Sequence, residues 1–103
     1  LVKTVVFKSP KNAGVFDLTR AIVSNQATQA LRILNQLLRN REKPQNILGA
    51  LFWQWDKTKD RIGLDKFRQG LKLLLDTDIR IKTGRLDAEL ALEIVIIRLS
   101  YLI

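Results

Sequence analysis

The C-terminal segment, residues 88–103, limits the fold most, because apolar side chains surround nearly the whole helix that it predicts. Asp87 precedes this helix as an N-cap candidate, and the helix is expected to span residues 88–102. Glu89 in its first turn, Glu93 and Arg98 are the few charges within it, and its apolar residues are Leu90, Leu92, Ile94, Val95, Ile96, Ile97, Leu99, Tyr101, Leu102 and Ile103. A helix that is apolar all round has to be covered on most sides. We therefore expect it to be the central helix of a bundle, and also to present part of its surface to another protein.

Four more helices are predicted upstream, because apolar residues recur there at three- and four-residue spacing. Their expected spans are 16–23, 26–40, 44–59 and 65–83. In the first of them, Phe16, Ala21 and Ile22 are expected to face inward. Pro44 suits the first position of the third helix, and Gly84 suits the left-handed residue that ends the fourth. The sequence thus predicts an all-α fold, a compact bundle of about five helices.

Residues 1–14 differ from the rest of the chain. Their β-favouring residues are followed by Pro10 and Gly14, which interrupt regular structure. We expect residues 1–14 to form an extended N-terminal tail or linker from a preceding domain, and residues 15–103 to form the helical domain. The chain begins at Leu1 rather than at Met, which fits a piece of a longer protein.

The residue types that are missing exclude several kinds of chemistry. The chain has no Cys and no His, so disulfides, thiolate or imidazole metal sites and Cys- or His-dependent catalysis are excluded. No glycine-rich phosphate-binding loop is present, and Asp76 and Asp78 are two apart, so they point to different faces of a helix. We therefore predict a non-catalytic module without a cofactor, a metal ion or a small-molecule substrate. The lack of Cys suits the cytoplasm, and no apolar run approaches the roughly 20 residues that span a membrane.

The balance of charge leaves a nucleic-acid partner open. The chain carries 18 Lys and Arg against 10 Asp and Glu, a formal net charge of +8. Such a balance suits an acidic partner such as nucleic acid, and it also suits plain solubility. A basic stripe runs through Lys72, Arg80, Lys82 and Arg85, but its scattered form does not predict sequence-specific DNA reading. A basic helical nucleic-acid-binding module is thus the alternative function.

Trp53 and Trp55 form an aromatic cluster with Phe52. Being two residues apart on a helix, the two indoles cannot both face one core, so one is expected at a rim or an interface. Core or rim packing, a protein interface and stacking on a nucleic-acid base all remain open for this cluster. Lys57 follows closely in the sequence, and its positive charge is compatible with stacking of this cluster on a nucleic-acid base.

Residues 78–87 contain a set of local structural signals. Asp78 and Lys82 are four residues apart with the acid first, which is the favourable order for an ion pair on a helix. Gly84 and Asp87 then suit the end of one helix and the N-cap of the next. We expect these residues to support the helix ends, and the alternative is a polar contact held for a partner.

Two stretches of the chain resemble the C-terminal collar domain of the bacterial DNA polymerase III delta subunit, a clamp-loader subunit. The first comprises residues 16–22 (FDLTRAI), 30–34, 37–38 and 44–51, and the second comprises residues 74–87 and 90–93. The most specific part is the Asp followed by Lys-Thr-Gly at a helix end, Asp78 to Gly84. One departure is that Trp55 and Phe67 are joined by a short charged segment, where such domains usually carry a further helical pair.

The resemblance implies a role in DNA replication. In that family the C-terminal helical domains pack into a ring, the collar, which holds together the loader of the sliding clamp. The complex belongs to the DNA polymerase III holoenzyme, a nucleotidyltransferase, although the collar itself is not catalytic. The expected partners are the other clamp-loader subunits, with a weak contact to nearby DNA and none to a membrane. The candidate subunit-interface residues are Trp53, Trp55, Ile96, Ile97 and Tyr101.

Overall fold

A computed structural model describes residues 10–103, with side chains from residue 14 onward, and every regular element in that part is helical. One helix, Lys59–Ile62, is a single turn, so the bundle consists of five main helices and confirms the all-α class. The elements are α1 (Pro10–Val23), α2 (Ala27–Arg39), α3 (Pro44–Trp55), a 3-10 turn (Asp56–Thr58), α4 (Lys59–Ile62), α5 (Leu64–Lys82) and α6 (Ala88–Leu102). The expected extended tail falls largely on residues 1–9, which lie outside the described residues.

Helix α1 begins at Pro10 rather than at Phe16, so residues 10–14 belong to the helix and not to the tail that the sequence predicted. Proline is tolerated in the first turn of a helix, because a backbone N–H at this position would have no acceptor within the helix. Gly14 lies where α1 approaches α2, because a Cβ added there would come 2.6 Å from Cδ2 of Leu37. The close approach of α1 and α2 thus explains Gly14, although local propensity alone predicts that a glycine interrupts the helix.

The inward face of α1 also differs from the expected one at Phe16. Val15, Leu18 and Ile22 are buried, at 4%, 0% and 0% exposure, and they follow helical spacing. Phe16 lies about a quarter turn from Val15 and is 53% exposed, so the prediction that it faces inward was wrong. Ala21 and Ile22 are buried as predicted.

Helix α3 ends at Trp55, although a continuous helix to residue 59 was predicted. The hydroxyl of Thr58 donates a hydrogen bond to the carbonyl oxygen of Trp55, at 2.7 Å, and Thr58 is itself buried. A hydroxyl that bonds a nearby backbone carbonyl competes with the helical ladder, and here a 3-10 turn follows. The chain then makes the single turn α4 and passes through Gly63, at φ 90°, into α5.

Helix α6 occupies the middle of the bundle, with the bounds that its sequence predicted. It packs against α1, α2, α3 and α5. Its buried face carries Ala91, Leu92, Val95, Ile96, Leu99 and Ser100. Ser100 is tolerated there because its hydroxyl donates to the carbonyl oxygen of Ile96, at 2.8 Å. The interpretation of this segment as the central helix of a bundle is therefore confirmed.

Three helices end in the same hydrogen-bonded motif, with a left-handed residue just past the helix. This residue is Asn25 after α1 (φ 61°), Arg41 after α2 (φ 67°) and Gly84 after α5 (φ 73°). At the last of these ends, the N–H of Arg85 bonds the carbonyl of Arg80 and the N–H of Gly84 bonds that of Ile81. This is the Schellman arrangement, which satisfies carbonyls that a helix end leaves open.

Candidate interaction surfaces

The two tryptophans of α3 have opposite environments. Trp55 is fully buried, and its indole Nε1–H donates to the carbonyl oxygen of Phe67 in α5, at 3.0 Å. Trp53 is 65% exposed, and Nζ of Lys57 lies 4.1 Å from the centroid of its ring. The prediction that one indole lies inside and the other at the surface is confirmed. Trp55 has no surface to offer a partner, so its assignment to a subunit interface is corrected.

Gly70 of α5 makes room for the indole of Trp55. A Cβ added at Gly70 would overlap Cζ2 of that ring and lie 2.6 Å from Cε2 and 2.8 Å from Nε1. The contact joins α3 to α5 across the short connection that the sequence showed between Trp55 and Phe67. This contact sets the rotation of α3 about its own axis, so Trp53 lies on the outer surface.

A stripe of apolar residues on α6 stays partly uncovered. Leu90, Ile94, Ile97 and Tyr101 fall within roughly 60° of one another on a helical projection, and we call them the α6 stripe. Leu90 is 45% exposed and Tyr101 is 74% exposed, while Ile94 and Ile97 are half-buried. The stripe lies opposite the buried face of the helix.

The α6 stripe divides the interface candidates of the last helix. Tyr101 and Ile97 lie on it, whereas Ile96 is fully buried against the core, so its assignment to a subunit interface is corrected. Leu90 and Ile94 were not singled out from the sequence. Leu90, Ile94 and Ile97 follow one another at spacings of four and three residues, which the sequence shows. An all-apolar helix, however, does not indicate which side its neighbours leave uncovered.

A groove between α1 and the end of α3 brings together two exposed rings. It has a volume of about 400 Å³ and is lined by Phe16, Thr19, Arg20, Val23, Trp53, Gln54, Lys57, Thr58 and Arg61; we call it the α1–α3 groove. The guanidinium of Arg20 lies 5.4 Å from the centroid of Phe16, much as Lys57 covers Trp53. Both pairs have the geometry of a cation–π interaction. Phe16 and Arg20 were missed as site residues, because their place beside Trp53 depends on how α1 packs on α3. Gln54, the neighbour of Trp53 in sequence, was missed as well.

The predicted basic stripe is partly neutralised by neighbouring acids. Lys82 pairs with Asp78, and Arg80 pairs with Asp76, each with an N–O distance of 3.0 Å. The ion pair between Asp78 and Lys82 was predicted from its spacing, and the structure confirms it. Exposed pairs of this kind support a helix by about 0.3–0.5 kcal/mol.

Gly84 and Asp87 have the local roles that their positions predicted. Gly84 takes the left-handed conformation past the end of α5. Oδ2 of Asp87 accepts a hydrogen bond from the N–H of Leu90, at 3.2 Å, as an N-cap does. These residues therefore set the turn that leads from α5 into the central helix.

Among residues 10–103, no group of three or more acidic side chains is placed to hold a metal ion. Nor does any helix in this part of the chain combine the length and apolarity needed to cross a bilayer.

Comparison with known proteins finds a similarity over the first half of the bundle. Residues 12–57, which contain most of α1 and all of α2 and α3, match the family model described as DNA polymerase III delta subunit, C-terminal domain. The resemblance expected from residues 16–51 is thereby confirmed. The second stretch, residues 74–93, lies outside the match, and its resemblance stays a prediction. No curated protein and no solved structure matches the chain.

Proposed function

We propose that this chain is a non-catalytic collar domain of a DNA polymerase III delta subunit, which joins other clamp-loader subunits and so supports loading of the sliding clamp in the cytoplasm. The family match over residues 12–57 carries the proposal. The bundle adds an exposed apolar surface of the kind that an assembly domain needs. The partners are proteins, and the domain takes no cofactor.

The α6 stripe is the surface proposed to contact another subunit. Tyr101, the most exposed of its residues at 74%, is of a type enriched at the centre of protein interfaces. Leu90 and the half-buried Ile94 and Ile97 extend the apolar contact along about three turns of the helix. An α-helical stripe of this length suits packing against a helix of a neighbouring collar domain.

Co-elution with the other clamp-loader subunits from the same source tests the proposal. Size-exclusion chromatography with light scattering would be run on the wild-type chain and on Leu90→Asp and Tyr101→Gln variants. Leu64→Asp is the matched control, because Leu64 is 51% exposed in the first turn of α5, as Leu90 is 45% exposed in the first turn of α6. We expect the complex to form with the wild type and the control and to be lost in the two stripe variants, each still helical by circular dichroism. A wild-type chain that joins no complex would show the proposal to be wrong.

The net charge of +8 supports one other function, a basic nucleic-acid-binding module. It predicts binding of a labelled oligonucleotide by the isolated chain, with an affinity that falls steeply as salt is added. Tight, salt-sensitive binding without a subunit complex would favour this function over the collar.

A further inference from the structure

The α1–α3 groove offers an apolar floor between two exposed rings. Phe16 is 53% exposed and Trp53 is 65% exposed, so both rings keep large areas of apolar surface in water. The buried Val23 and the buried, methyl-bearing Thr19 also line the groove. An aliphatic or aromatic side chain of a partner would cover surface that the fold itself leaves open.

The rim of the groove is cationic. Arg20, Lys57 and Arg61 line it, and none of its nine lining residues carries a carboxylate. The acids nearest in sequence, Asp17, Asp56 and Asp60, are exposed and are not part of the lining. The groove is therefore complementary to a negatively charged ligand.

One acceptor in the groove has no partner. Oε1 of Gln54 is buried and accepts no hydrogen bond. A buried carbonyl oxygen without a donor costs about 1–3 kcal/mol, and a ligand that donates an N–H removes this cost once the Gln54 side chain turns Oε1 toward the groove. Peptide backbones carry such donors at every residue except proline, whereas the phosphodiester groups of a nucleic-acid backbone carry none.

We propose that the α1–α3 groove binds an acidic peptide segment of a partner protein, with an apolar side chain between Phe16 and Trp53, carboxylates on Arg20, Lys57 and Arg61, and a backbone N–H on Gln54 Oε1. A peptide carboxylate can bind Lys57 while this cation stays over the Trp53 ring, whereas a stacked base competes with it for that face. Residues 1–9 of the chain itself contain two Lys and no acid, so their charge does not suit the groove. The proposal does not depend on the collar assignment, because no residue of the α6 stripe lines the groove.

Fluorescence anisotropy with a labelled peptide tests the proposal. The probe is a short peptide in which aspartates flank a central Leu-Phe pair, and the control probe has asparagine in place of each aspartate. We expect a dissociation constant on the order of 10–100 μM for the acidic probe and at least about 10-fold weaker binding of the control. Equal binding of the two probes, or no binding of the acidic one, would overturn the proposal.

Paired variants locate the binding on the protein. Trp53→Ala and Lys57→Glu should each weaken binding at least about 10-fold, because one removes the exposed ring and the other reverses a rim charge. Tyr101→Ala and Arg68→Glu are matched controls that change an exposed ring and an exposed cation outside the groove, and they should leave the affinity within about two-fold. Equal losses in a groove variant and its control would exclude the groove as the binding surface.

The two indoles supply an internal test by NMR. The Nε1–H signal of Trp53 should shift as the acidic peptide is added, while that of Trp55, which is buried and bonded to Phe67, should stay in place. An oligothymidine that moves the same signal and displaces the peptide at lower concentration would assign the groove to nucleic acid instead. Loss of peptide binding in Trp53→Ala with retained co-elution of the clamp-loader subunits separates this site from the α6 stripe.

Discussion

Substitution of Gly70 by alanine is expected to destabilise the bundle, against the usual effect of this change in a helix. An alanine in a helix interior is normally more stable than a glycine by roughly 0.5–1 kcal/mol. At Gly70 the new Cβ would overlap the indole of Trp55, which is fully buried and tied to the carbonyl of Phe67. The ring cannot move aside without breaking that hydrogen bond or displacing α5 from α3.

The magnitude follows from two costs and one gain. Overpacking of a close-packed core costs about 1–3 kcal/mol, and loss of the bond from Trp55 to Phe67 adds about 0.5–1.5 kcal/mol. The gain in helix propensity offsets about 1 kcal/mol of this cost. We therefore expect Gly70→Ala to lower the free energy of unfolding by about 0.5–3.5 kcal/mol.

Gly49→Ala is the matched control. Gly49 also lies inside a helix, α3, but a Cβ added there meets nothing within 4 Å. It should raise the free energy of unfolding by about 0.5–1 kcal/mol, the ordinary propensity gain. Urea unfolding followed by far-ultraviolet circular dichroism measures both values. If Gly70→Ala stabilised the chain as Gly49→Ala does, the close packing of α5 on Trp55 would be refuted.

Three further predictions concern the helix ends and the surface, and the same urea titration checks each. Gly84→Ala should lower the free energy of unfolding by about 1 kcal/mol, because φ is 73° there. Arg41→Gly, at φ 67°, should raise it by a similar amount. If both variants changed the free energy of unfolding in the same direction, the proposed backbone strain would be contradicted. Asp87→Ala removes the cap of α6 and should cost about 1 kcal/mol, while Asp87→Asn, which keeps the acceptor, should cost much less. Asp78→Asn should cost about 0.5 kcal/mol, and the loss should shrink at high salt, since the Lys82 side chain is exposed and Asp78 is only half-buried. A cost above about 1 kcal/mol would point to a further contact of Asp78.

Features that depend on neighbouring residues in the chain were accessible from the sequence. The bounds of α6, the cap at Asp87, the left-handed Gly84 and the ion pair between Asp78 and Lys82 all follow from groups within four residues of each other. The resemblance over residues 16–51 likewise rests on helical spacing and short motifs along the chain. Such features are set by local spacing and local hydrogen bonds, which the sequence shows directly.

Features that depend on packing between helices were not accessible. The spacing of Trp53 and Trp55 predicted that only one of the two indoles lies in the core. The contact of α3 with Gly70 and Phe67 of α5 decided that this indole is the one of Trp55. The early start of α1 and the exposure of Phe16 likewise depend on how α1 lies against α2.

The sequence by itself therefore determined the helical class, the central helix and most helix ends, because backbone hydrogen bonding and apolar periodicity act over a few residues. Only the tertiary structure decided that Ile96 is buried while Ile97 and Tyr101 stay partly exposed. It also decided that two aromatic rings distant in sequence, Phe16 and Trp53, line one groove together with three cations. The physical reason is that burial depends on the covering neighbours. On a helix that is apolar all round, the sequence does not say which side they leave uncovered.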